Sequence, residues 1–145
     1  MRGIELEYPF ESVPDFGKIL RGLPLENHQI VIPDTIIYCN GIKAARPQEV
    51  TWDSILNLSQ KGTVVLQMIL QCFQKGAVIC DISTYTDFLS SECDFLFLVC
   101  DCYYIEVYSK EASWLHQILE NVEGIEGIKV TIKTDKTDGR VRMYV

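Results

Sequence analysis

Cysteine, histidine and tyrosine are the side chains of this 145-residue sequence best suited to chemistry, with six cysteines, two histidines and seven tyrosines. A cysteine or serine nucleophile needs a base and an orienting group within hydrogen-bond reach. His28 follows the loop Pro24-Leu25-Glu26-Asn27 and His116 falls on the polar side of an amphipathic segment, so neither is brought to a nucleophile by spacing. Cys102 is the most plausible thiol, but Asp101 and Glu106 flank it, and anionic neighbours oppose a thiolate. Only Cys100 and Cys102 are close enough to chelate together. No C-x-x-C pair occurs, and a structural zinc site takes four ligands, so neither a metal nor a cofactor is expected. Cys39, Cys72, Cys80 and Cys93 sit in apolar segments and read, like the other two, as reduced core residues. Phosphate-cradling glycine loops are absent, because Gly124 and Gly127 stand alone in an acidic turn.

Two binding surfaces remain as candidates. Between Lys75 and Lys110 there is no basic residue, while Asp81, Asp87, Glu92, Asp94, Asp101 and Glu106 supply six carboxylates. Clustered like charge steers an oppositely charged partner, so Asp81, Asp87, Glu92 and Asp94 are expected to form a docking face for a basic protein. Their spacing does not match a calcium loop. Alternatively, Tyr103, Tyr104 and Tyr108, together with Trp114, supply apolar walls for a small molecule.

The formal net charge of −7 argues against phosphate-backbone binding, so no nucleic acid is expected as partner. Glu5 and Glu7 interrupt the stretch where a signal peptide needs its apolar run, and no segment approaches the ~20 apolar residues of a membrane span. The expectation is a cytoplasmic protein that does not engage membranes. Its 48% hydrophobic content suits one globular domain, residues 1–145.

The elements that must position these residues follow from periodicity. Residues 2–8 alternate Ile4, Leu6 and Tyr8 with Glu5 and Glu7, a half-buried strand closed by Pro9. Residues 14–21 carry the helical stripe Phe16, Ile19, Leu20 and Leu23. Residues 29–32 and 35–39 read as strands around Pro33-Asp34, with a turn at Asn40-Gly41. Residues 44–62 fit neither period cleanly, although 47–58 allow a helix with Pro47 in its first turn. Residues 63–75 present Val65, Met68, Ile69, Cys72 and Phe73 at helical spacing and predict a central helix capped by Gly76. A strand at 78–82 and a short helix opened by a Thr84/Asp87 capping box come next.

The unbroken apolar run 95–100 predicts a strand covered on both faces at the centre of a sheet. A turn or bulge at Asp101 leads into a strand over 102–108, and residues 111–122 form an amphipathic helix on Trp114, Leu115, Ile118, Leu119 and Val122. The end reads as a hairpin, 128–133 and 141–145, turned at Asp138-Gly139. Its basic side can pair with Glu5 and Glu7, and its free edge can pair with a second copy.

Three stretches, Arg2-Gly3-Ile4-Glu5-Leu6-Glu7-Tyr8-Pro9, Asp101-Cys102-Tyr103-Tyr104-Ile105-Glu106-Val107-Tyr108, and the end from Thr134-Asp135 through Asp138-Gly139-Arg140 to Val145, resemble a family of short uncharacterised bacterial proteins. That family is a domain of unknown function, so the resemblance implies a small soluble bacterial protein and transfers no site residue. The expected fold is α+β, a mostly antiparallel sheet covered by helices, built from two β-α-β-β units with a central helix between them. The expected role is a non-enzymatic protein-binding module, immunity- or inhibitor-like by analogy of size and charge. A small-molecule-binding domain is the alternative.

Overall fold

A computed structural model describes residues 1–44, 50–59 and 62–145. The elements are β1 (Gly3–Glu7), α1 (Phe16–Ile19), β2 (Gln29–Val31), β3 (Ile36–Cys39), β4 (Ile42–Lys43), α2 (Trp52–Leu56), β5 (Thr63–Phe73), α3 (Tyr85–Ser90), β6 (Cys93–Cys100), β7 (Tyr104–Ser109), α4 (Ala112–Val122) and β8 (Lys129–Lys133). The eight strands form one sheet in the order β4-β3-β5-β6-β7-β1-β8, with β2 also pairing to β5. Each of these pairings is antiparallel. The architecture is therefore α+β with an antiparallel sheet.

β5 is 11 residues long, enough to serve two neighbours on one edge. β3 pairs with its first half and β2 with Gln71, Cys72 and Phe73. Pro33, which has no N–H to donate, and Asp34 at φ 49° separate the two short strands. Asn40 and Gly41, both at positive φ (49° and 79°), make the expected tight turn between β3 and β4.

Side-chain alternation divides the core. Ile4 and Leu6 of β1, Met68 and Leu70 of β5, Phe95, Phe97 and Val99 of β6, and Ile105 and Val107 of β7 face one way. Phe16 and Ile19 of α1, Trp52 and Ile55 of α2, and Leu115, Ile118 and Val122 of α4 cover them. Ile69, Phe73, Leu96, Leu98 and Tyr108 face the other way, under Phe88 of α3, Ile82 and Met143. β6 lies at the centre with both faces buried, as its unbroken apolar run predicts.

Three sequence expectations are corrected. Residues 63–75 do not form a central helix but the central strand β5. From Met68 to Phe73 both faces of that strand are buried, which erases the period-two signal and leaves a pattern that mimics a helical stripe. Residues 78–82 form no strand; Val78 and Ile79 are exposed, and Ile82 alone reaches the second core. The terminal hairpin is also absent. β8 pairs with β1, and Thr134 to Thr137 make a turn closed by the Asp138 N–H bonding the Thr134 carbonyl at 2.9 Å. The tail then crosses the sheet face and buries Met143, its backbone forming an isolated bridge between Arg142 and Thr84. Asp138 is drawn under the chain by Arg2 and Lys133, at 3.0 and 3.5 Å, and does not remain at a hairpin tip.

The elements β1, α1, β2 and β3 follow one another along the chain, but β1 pairs with β7 and β8 while β2 and β3 pair with β5, and the second expected unit ends at β8 without its last strand, so the arrangement in two β-α-β-β units is not found. The helix expected over 47–58 begins after Thr51, which forms a capping box with Ser54; its portion at 47–49 lies outside the described residues. The Thr84/Asp87 capping box opens α3 as expected. Glu5 and Glu7 meet Lys133 and Lys129 at 3.3 and 3.4 Å, as their strands are neighbours.

Candidate functional site

A pocket of about 290 Å³ opens where three parts of the chain meet beside the turn between β6 and β7. Its walls are the loop before α1, Ser59 after α2, the start of β5, and the turn residues Cys102 and Tyr103. Local hydrogen bonds lock these parts together. The Tyr8 N–H bonds the Tyr103 carbonyl at 2.8 Å, the Cys102 N–H the Leu66 carbonyl at 3.2 Å, and the Phe16 N–H the Ser59 hydroxyl at 2.8 Å. Ser12 closes a turn by donating its hydroxyl to the Pro9 carbonyl. The floor and walls are mostly apolar, with Phe16, Val65, Val13 and Tyr103.

Two non-glycine residues lining this pocket, Glu11 and Cys102, adopt left-handed backbone at φ 67° and 69°, and Asp101 beside them does so at φ 49°. Side chains rarely take that conformation, and such costs concentrate where a loop must present a group in one place. Burial first, and then the neighbouring Asp101 carboxylate, push the Cys102 thiol up. It therefore stays protonated at neutral pH and offers the pocket a soft, weakly polar wall and no ready nucleophile. Gly62 stands at the edge of an adjoining groove at φ 86°, where a Cβ would lie 2.4 Å from Asn40 Oδ1. Only glycine fits there without displacing that side chain.

The residues singled out from sequence are not gathered in one place. Tyr103 lines the pocket and packs against Phe10 with ring centroids 5.6 Å apart. Tyr104 is half-exposed on the opposite sheet face. Tyr108 is fully buried there, donating its hydroxyl to Glu106 at 3.0 Å. Trp114 packs edge-on against Phe95 and His28.

The carboxylates divide in the same way. Asp87 accepts the Ser83 and Thr84 N–H groups, which hold its carboxyl below the usual range, with the Thr84 hydroxyl contact contributing most. Asp94 meets His28 Nε2 at 3.2 Å and the Gln74 amide at 3.0 Å. Asp81 accepts the Ser83 hydroxyl at 3.0 Å, and Glu92 is exposed. Among the described residues Asp81, Asp87 and Glu92 form no ion pair.

A wider, open depression of about 800 Å³ lies on the tail-covered face. Most of its charges are spent on one another, while Arg142 lies over the Tyr144 ring. Arg140 makes a forked pair with Glu106, Lys133 Nζ reaches Glu106 at 2.6 Å and Glu5 at 3.3 Å, and Arg140 also donates to the Arg142 and Tyr144 carbonyls. Burial opposes ionisation of Glu106, but the Arg140 and Lys133 hydrogen bonds outweigh it and hold its carboxyl below the usual range. With partners this complete, the network is suited to holding the tail and less to capturing a ligand.

Sequence reasoning missed Glu11, Ser12, Ser59, Thr63 and Val64 as pocket residues. The one local sign was the pair Pro9 and Pro14, bracketing a loop too short to be slack. Among the described residues no group of three or more His, Cys, Asp or Glu is placed to hold a metal. Within them, no helix is long and apolar enough to cross a membrane.

The chain is similar to the uncharacterised protein YncE of Bacillus subtilis (strain 168), at 26% identity over 90 residues. That stretch covers 62% of this chain and 58% of the relative, so a large part of each lies outside the likeness. No solved structure matches. The family described as "Protein of unknown function (DUF2691)" matches residues 1–144, and the chain belongs to that family.

Proposed function

We propose that the chain is a binding domain for a small, mostly apolar molecule held in the pocket beside the β6–β7 turn. The observation that carries this reading is the convergence of two strained rim residues, Glu11 and Cys102, on a concave apolar space of about 290 Å³. Small-molecule sites are concave and mostly apolar, with a few placed polar groups, and this volume is close to the lower end of their range of roughly 300–1,000 Å³. Here the polar groups are the Ser12, Ser59 and Thr63 hydroxyls and the Glu11 carboxylate. All six cysteines are free thiols, two of them exposed, which supports a reducing compartment such as the cytosol.

The test is a screen of small aromatic and aliphatic compounds by thermal shift. A ligand that binds only the folded state raises its stability by mass action, by about 2.7 kcal/mol at a hundredfold excess over Kd. Val64 is half-exposed on the rim, so Val64→Trp should fill the space without disturbing the core. The reading requires that hits lose their effect in this variant. Hits that stabilise both proteins equally, or a library with none, would end it.

A second reading, an acidic docking face for a basic protein of the kind an immunity protein or inhibitor meets, is favoured by the lack of ion pairs at Asp81, Asp87 and Glu92 among the described residues. Because Asp87 caps α3 and Asp94 is tied to His28, charge reversal is best confined to Asp81 and Glu92. Under this reading Asp81→Lys with Glu92→Lys leaves the melting temperature unchanged and abolishes salt-sensitive binding of a basic protein such as lysozyme, used as probe. Unchanged binding would discard it.

A further inference from the structure

We infer that the pocket selects by charge, taking a small apolar amine whose ammonium group sits against Glu11 at the rim. This rests on reading the pocket as a ligand site and adds the chemical class of the ligand. Among the described residues, the pocket and the groove continuous with it through Val13, Ser59, Thr63 and Val64 are lined by two carboxylates, Glu11 and Asp15, and by no lysine, arginine or histidine. The groove adds about 570 Å³ of open space beyond the pocket mouth.

The two carboxylates are not equivalent. Asp15 accepts the Lys18 N–H at 3.1 Å and caps α1, so its position serves the fold. Glu11 has no hydrogen-bond or ion-pair partner among the described residues, yet its backbone is set at φ 67° by the turn that Ser12 closes onto Pro9. An unspent anion held in a strained conformation at the mouth of an apolar pocket is a group left for a cation. Phe16 and Tyr103 add aromatic walls, to which ammonium groups are attracted by the ring quadrupole. Burial and then Asp101 push the Cys102 thiol up, and burial and then Asp15 push the Tyr8 phenol up to about 12. A carboxylate or phosphate ligand would meet two like charges and no described cation.

The test uses three probes of one skeleton, 2-phenylethylamine, 2-phenylethanol and 3-phenylpropionate, titrated by calorimetry or amide chemical shifts into the wild type, Glu11→Gln and Val64→Trp. The inference predicts that the wild type binds the amine roughly two- to fivefold more tightly than the alcohol, as for an exposed ion pair, and the carboxylate least. Glu11→Gln should remove the preference for the amine, bringing its affinity down to that of the alcohol. Equal binding of all three probes to the wild type, or an amine preference that survives Glu11→Gln, overturns the charge selection. In either case, loss of binding in Val64→Trp would still place the probes in the pocket and leave the broader reading standing. Absence of binding by any of the three probes overturns both.

Discussion

The two faces of the sheet are closed by different physics. On the face under α1, α2 and α4, a continuous layer of leucine, isoleucine, valine and phenylalanine is sealed by three helices, chiefly by packing, with the buried Asn121 amide tying α4 to the Ile19 and Arg21 carbonyls. On the other face a smaller apolar patch around Leu96, Leu98 and Phe88 is finished by the tail through Met143. Beside it, Arg2, Lys133 and Arg140 interlock with Glu5, Glu106 and Asp138. Non-directional burial tolerates shape-conserving change, whereas a network of fixed donors and acceptors fails when one member is lost. The first face is thus expected to be robust to exchange and the second to be specific in how it places the last dozen residues.

The contrast can be broken most directly at Phe97, fully buried against Phe16 with ring centroids 5.3 Å apart. Phe97→Ala should lower unfolding stability by about 3–5 kcal/mol in urea melts, and Phe97→Leu by far less. Removing one charge of the opposite network, as in Glu106→Gln, leaves Lys133 and Arg140 without their shared anion and should cost about 3 kcal/mol. Its signature differs, however. Replacing the pair together, as Glu106→Leu with Arg140→Met, should recover most of that loss. If the double variant is as unstable as the single one, the network contributes more than its charges.

A third and smaller effect is on acid stability. Glu106 is held below its ordinary value of 4.5, so its contribution is complete above that pH and is lost as pH falls through the lower folded value. Asp87, held below 3.8 chiefly by its Thr84 contacts, acts in the same direction. The wild type should therefore lose stability below about pH 4 more steeply than Glu106→Gln, measured as urea midpoint against pH. Parallel curves would show that Glu106 is not tuned. The smallest expected change is Asp87→Ala, which removes one capping box and should cost about 1 kcal/mol, with the loss confined to hydrogen exchange around α3.

How much of this was legible depends on range. The Thr84/Asp87 box, the Asn40-Gly41 turn, the stripe of α4 and the alternation of β1 are written within a few residues each, and the structure holds all four. β5 was misread because its neighbours on both faces, Phe97 and Leu98 among them, decide that every side chain from Met68 on is buried. The pocket escaped notice for a related reason. Glu11, Ser59, Thr63 and Cys102 lie far apart in the chain, and each is unremarkable where it stands.

The amino-acid order alone determined the α+β composition, the apolar faces of β1, α1 and α4 and the central position of β6, because period is a property of neighbouring residues. Tertiary structure alone decided that residues 63–73 are a strand, that Asp138 goes under the chain and not out to a hairpin tip, and that Glu11 looks onto an apolar hollow. Burial on two faces, and pairing between charges more than a hundred residues apart, arise only once the sheet has closed.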